Sequence, residues 1–73
     1  MNFEDNIGKR AFEECLRMWG RIEDAADAIG ASAKIVIYRW NKDFMPSAFF
    51  LARLCKAGAD IKYILTGERT NEN

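Results

Sequence analysis

The stretch from Ile22 to Asn41, IEDAADAIGASAKIVIYRWN, decides the fold. Ala25, Ala26 and Ile29 recur at helical spacing and give a first helix one apolar face. Gly30 follows directly, where a chain leaving a helix often needs the left-handed backbone that glycine adopts cheaply. Ala31 and Ser32 fill the turn. The Ser32 hydroxyl is suited to accept a bond from a backbone N–H in the first turn of the next helix. That second helix offers Ala33, Val36 and Trp40 on one face. At about 100° per residue, Lys34, Tyr38, Asn41 and Lys42 point the other way. A sharply turned helix pair with a buried face and a basic, hydrogen-bonding outer face has the layout of a helix-turn-helix DNA reader. An ordinary helix pair in a small bundle carries the same pattern.

Outward from this stretch, the apolar spacing predicts three more helices. One precedes it, from about Lys9 to Trp19, with Ala11 or Phe12, Cys15, Leu16 and Trp19 as its stripe. Glu13, Glu14 and Arg17 are expected to face water, and Gly20 ends the helix. Residues 1–8 read as a loose lead-in, with Phe3 and Ile7 folding back. Phe12 and Trp19 read as core rather than as a surface for stacking bases.

After Trp40, Asn41–Met45 is a polar connection. Pro46 and Ser47 then open a helix reaching Lys56, with proline expected in its first turn. Phe49, Phe50, Leu51, Leu54 and Cys55 make it strongly apolar, and Gly58 stops it. Asp60 caps a last helix through Ile61, Tyr63, Ile64 and Leu65, and Gly67 closes it. Residues 68–73 are expected to fray. The fold class is therefore all-α, a single domain over residues 1–73 built as a compact bundle of about five short helices. Ile61, Ile64 and Leu65 either cover a partner subunit as a dimer face or close the monomer's own core.

Composition narrows the chemistry. Seventy-three residues bury one modest core. A hydrophobic share of 49% beside 30% charged residues describes a folded domain rather than a disordered one. The chain contains no histidine, which removes the commonest general base and metal ligand. Cys15 and Cys55 are two isolated thiols, too few to make a zinc site, and both are expected as reduced core residues. Glu23, Asp24 and Asp27 suit the positive end of the second helix better than acid–base work. No catalytic residue, metal, cofactor or small-molecule substrate is expected, and no apolar run approaches the length of a membrane span. A cytoplasmic location is the corresponding expectation. The net charge is zero, but residues 1–29 carry four basic and seven acidic side chains, whereas residues 30–69 carry seven basic and three acidic. Positive charge thus gathers on the half holding the second helix of the central stretch, which suits attraction to phosphates.

Three segments, AADAIGAS at 25–32, PSAFFLARLCKAGAD at 46–60 and YILTGE at 63–68, carry a family resemblance. With them the chain from Gly20 onward resembles the N-terminal DNA-binding domain of phage CI-type repressors, within the lambda-repressor-like helix-turn-helix class. Gly30 matches the family's turn glycine, Pro46 the proline opening its fourth helix, Gly58 the glycine after it, and Tyr63–Glu68 its aromatic-Leu-Leu-Thr-Gly-Glu ending. The resemblance implies binding to double-stranded operator DNA in a bacterial host, as a homodimer at least on DNA. It puts the reading positions on Ser32, Ala33, Lys34, Ile37, Tyr38 and Asn41. Ser32 and nearby amides are then expected on a phosphate, Lys34 on guanine, Asn41 on an adenine edge or a phosphate, and Ile37 on a thymine methyl. Tyr38 offers its hydroxyl, and Arg39 and Lys42 flank as phosphate contacts. Two positions depart from the pattern. Ile22 stands where many relatives have a phosphate-clamping glutamine. Arg39 occupies the usual inward place near the end of the reading helix, with Trp40 one residue later and able to take that place by a small rotation of the helix. The competing reading is a protein-interaction module, antitoxin-like or adaptor, on the same fold.

Overall fold

The computed structural model describes residues 7–30, 34–42 (Lys34 by its backbone) and 44–69. They form α1 (Ile7–Trp19), α2 (Ile22–Ile29), α3 (Lys34–Trp40), α4 (Ala48–Lys56) and α5 (Ile61–Thr66), with no strand among them. The protein is an all-α bundle of five short helices. α1 is its spine, packing on α2, α3 and α5, while α2 also meets α3 and α4, and α4 meets α5.

Local chemistry sets most of the helix ends. α2 stops at Gly30, which takes the left-handed conformation at φ 77°. An alanine there would be strained whatever its surroundings. Ser47 caps α4 by accepting from the Phe50 N–H at 3.3 Å. Pro46 sits one residue before that cap and is buried, so it precedes the helix rather than filling its first turn. Asp60 caps α5 by accepting from the Tyr63 N–H at 3.0 Å. At the other end of α5, Arg10 of α1 donates to the carbonyls of Ile64 (3.0 Å) and Leu65 (3.3 Å), satisfying acceptors that the helix itself leaves open.

The core gathers Ala11 and Cys15 from α1, Ile22, Ala25, Ala26 and Ile29 from α2, Ile37 and Trp40 from α3, Leu54 from α4, Ala59, and Ile64 from α5. Ile22, at the start of α2, is one of these core residues. α4 contributes less than its composition suggests. Phe50 and Leu51 are only partly buried, whereas Phe49 and Cys55 are exposed, which corrects the expectation that Cys55 is a core thiol.

Helix and hydrogen-bonded structure reach into both of the ends expected to be loose. Ile7 and Gly8 belong to α1, and Gly8 is buried because α1 passes close to the end of α3. A Cβ on Gly8 would collide with the backbone carbonyl oxygens of Trp40 and Phe44. At the other end, the Glu68 N–H donates to Thr66 Oγ1 at 3.1 Å, and Arg69 turns back onto α1. The expectations placed on Phe3 and on residues 31–33 lie outside the described residues.

The largest departure is Glu14. Expected to face water, it is 0% exposed. Its carboxylate accepts from Arg17 (Nε at 3.0 Å and Nη2 at 2.5 Å), from Arg69 Nη1 at 2.9 Å and from the Asp60 N–H at 2.9 Å. Burial pushes its pKa up, but the donors from Arg17, Asp60 and Arg69 together outweigh it and hold the group at about 2, against an ordinary 4.5. This one carboxylate ties α1 to the start of α5 and to the segment after it. Next to it, burial and the Glu14 charge push the Cys15 thiol up to about 12.

Candidate nucleic-acid interface

α3 has two distinct sides. Ile37 is 0% exposed and Trp40 3%, with Val36 partly buried beside them, so these three anchor the helix to the bundle. Trp40 takes the inward place that the family pattern would have given to Arg39. Ile35 at 57% and Tyr38 at 43% are exposed on the opposite side, together with Arg39. The chain then leaves α3 in a tightened turn, with the Asn41 N–H donating to the Tyr38 carbonyl (3.1 Å) and the Lys42 N–H to the Arg39 carbonyl (2.9 Å). Asn41 and Lys42 are exposed there, continuing the outward side of the helix.

Of the residues expected to read DNA, Tyr38, Arg39, Asn41 and Lys42 are thus brought together on one accessible strip. Ile37 is not among them. An isoleucine with no exposed surface cannot pack on a thymine methyl without unseating α3, so its role is structural. The physical reason is the apolar run Ile35-Val36-Ile37 followed by Trp40. Ile37 and Trp40, three apart, seat the helix deepest, and Val36 joins them at the margin. The site positions Ser32 and Ala33, and the side chain of Lys34, lie outside what the structure describes.

Neighbouring aromatic groups steady this strip. The Tyr38 ring leans on Phe12 of α1, with centroids 5.9 Å apart and a 49° tilt. The Arg39 guanidinium lies over the ring of Phe44 at 5.2 Å, while the Phe44 N–H donates to the Arg39 carbonyl at 3.3 Å. Such a contact orients a cation without neutralising it. Phe44 and Met45 are themselves exposed, a feature hidden in sequence because the segment reads as a polar connection.

A second basic feature lies between α2 and α4. Arg53 of α4 donates to the last carbonyl of α2, that of Ile29, at 3.2 Å, and its guanidinium covers Phe49 at 4.5 Å. With Ala28, Ala52, Lys56 and Ala57 these two residues line a shallow groove of about 600 Å³ between α2 and α4. The cation there completes a helix end, which explains why it is held against the protein.

The face expected to cover a partner subunit is only partly available. Ile64 is fully buried and closes the monomer's core, which removes it from any dimer contact. Ile61 is half-buried and Leu65 is exposed. Beside them, the Tyr63 hydroxyl donates to Glu13 Oε1 at 3.0 Å, and this bond raises the phenol's pKa above its ordinary value. Arg69 stacks on the Tyr63 ring at 3.8 Å.

Among the described residues no three potential metal ligands cluster, and no helix is long and apolar enough to cross a membrane. The carboxylate most isolated from water, Glu14, is saturated by donors that hold it ionised, the opposite of a poised acid or base. What the outer strip of α3 offers is a set of donors and cations aimed at solvent. No protein-family model, curated protein or solved structure matches the chain, so the function of this face is read from its own chemistry.

Proposed function

We propose that this chain is a sequence-specific DNA-binding regulator, acting as a phage or prophage repressor in the cytoplasm of a bacterial host and binding its operator as a homodimer. One observation carries the reading: α3 is seated by Ile37 and Trp40 while Tyr38, Arg39, Asn41 and Lys42 form an exposed, cationic, hydrogen-bonding strip on its other side and end. In the major groove such a strip supplies both kinds of contact that recognition needs. Arg39 and Lys42 meet phosphates and set the position of the helix, while the Tyr38 hydroxyl and the Asn41 amide address base edges. The exposed cations Arg39 and Lys42 favour approach of phosphates to this side of the bundle.

Selection of sites from random duplex DNA, followed by affinity measured against salt, tests the proposal. An enriched inverted repeat bound by two chains is the expected outcome. Arg39→Ala and Lys42→Ala should each lower the slope of log affinity against log salt by about 1. A chain that enriches no sequence and shows no salt dependence is not a DNA reader.

A second reading, an antitoxin-like or adaptor module, is favoured by the exposure of Phe44, Met45 and Phe49, large apolar side chains of the kind that protein partners cover. Binding of a protein through them would change little with salt.

A further inference from the structure

Ile37 is buried, whereas Ile35, two residues before it, is exposed on the outward side of α3. We infer that Ile35 is the residue that distinguishes thymine in the bound site, through van der Waals contact with the C5-methyl group in the major groove. This rests on the DNA-reading proposal above and names what that strip prefers.

Ile35, Tyr38 and Arg39 stand at i, i+3 and i+4, the spacing that lines one side of a helix, and Lys42 is exposed in the turn that follows. Every residue of that set is exposed, whereas Ile37 and Trp40 occupy the opposite side. Ile35 is therefore an aliphatic side chain, 57% exposed, on the side of α3 that also carries Tyr38 and Arg39. Among the bases only thymine presents a methyl group in the major groove, so an aliphatic knob flanked by phosphate-binding cations matches thymine's edge. The branched side chain is stiff at χ1, and little freedom is lost when it packs.

Uracil lacks only that methyl group, so the test replaces thymine by uracil, one position at a time, in the best selected duplex. Wild-type protein is expected to bind about fourfold more weakly when the contacted thymine is replaced, the effect of one uncovered methyl group. Ile35→Ala should bind the thymine duplex correspondingly more weakly and be indifferent to the replacement. Ile35→Val should retain most of the discrimination. Both variants should keep the unfolding midpoint of the wild type, because the side chain lies outside the core. Equal sensitivity of Ile35→Ala and wild type to uracil, or indifference of wild type at every thymine, overturns the inference. Steep salt dependence without any thymine effect removes Ile35 alone. Absence of salt-dependent binding to any selected DNA removes the DNA-reading proposal and this assignment with it.

Discussion

Glu14 shows how a single side chain can carry more of a small fold than its type suggests. A carboxylate with no exposed surface would normally be neutral or absent. Here two arginines and a backbone amide keep it charged, and its pKa falls from 4.5 to about 2. A depressed folded-state pKa stabilises the native form fully above the unfolded value and loses that contribution as the pH falls toward the folded one. The difference corresponds to about 3 kcal/mol. Urea denaturation of the wild type should therefore show stability declining between about pH 5 and pH 2. Glu14→Gln should be less stable at pH 7 and lose most of that slope, because its amide cannot carry the charge that Arg17 and Arg69 face. An unchanged slope in the variant would assign acid sensitivity to other carboxylates. The two cysteines offer a simpler contrast. Cys15 is buried with its thiol pushed up to about 12, whereas Cys55 is exposed. A thiolate reagent should modify one equivalent rapidly in the native protein, at Cys55, and the second only on unfolding. Cys55→Ser should abolish the fast phase.

Among the helices, the features legible in the sequence are those that depend on neighbours along the chain. Gly30, Ser47, Asp60 and Gly67 end or begin helices through backbone requirements that a few adjacent residues express completely. The orientation of α3 was less legible. Val36 and Ile37 both suit an inward place, and only contact with α1 and α2 decides how far each is covered. The outward lean of Glu14 looked equally natural from its spacing, since Arg69 and Asp60 are remote in sequence and nothing local announces them. The exposure of Cys55, expected in the core, has a related cause. α4 is apolar on more sides than its partners, α2 and α5, can cover. The candidate interface inherits this division, with Tyr38, Arg39, Asn41 and Lys42 recognisable from composition but the exchange of Ile37 for Ile35 dependent on packing. If Ile37 seats the helix, Ile37→Ala should cost about 2–5 kcal/mol of stability, measured by thermal or urea unfolding. A loss below about 0.5 kcal/mol would mean that the side chain is not held in the core.

For the molecule as a whole, the decisive contact is the crossing of α1 over the end of α3. Gly8 meets the carbonyls of Trp40 and Phe44 with no room for a Cβ, and both are backbone atoms that cannot rotate aside. Gly8→Ala must part the two helices. We expect it to lower stability by about 1–3 kcal/mol in urea unfolding and to weaken any activity of the α3 strip beyond what lost stability explains. Full activity at temperatures where the variant is folded would show that the angle of α3 is set elsewhere. Main chain resting on main chain also separates aiming from choosing. Of the outward residues of α3, Tyr38 leans on Phe12 and Arg39 on Phe44, close to the joint that sets the direction of the helix. Ile35 and Lys42 are the ones left free to diverge, and new binding preferences can arise by exchanging them while the frame that presents them stays as it is.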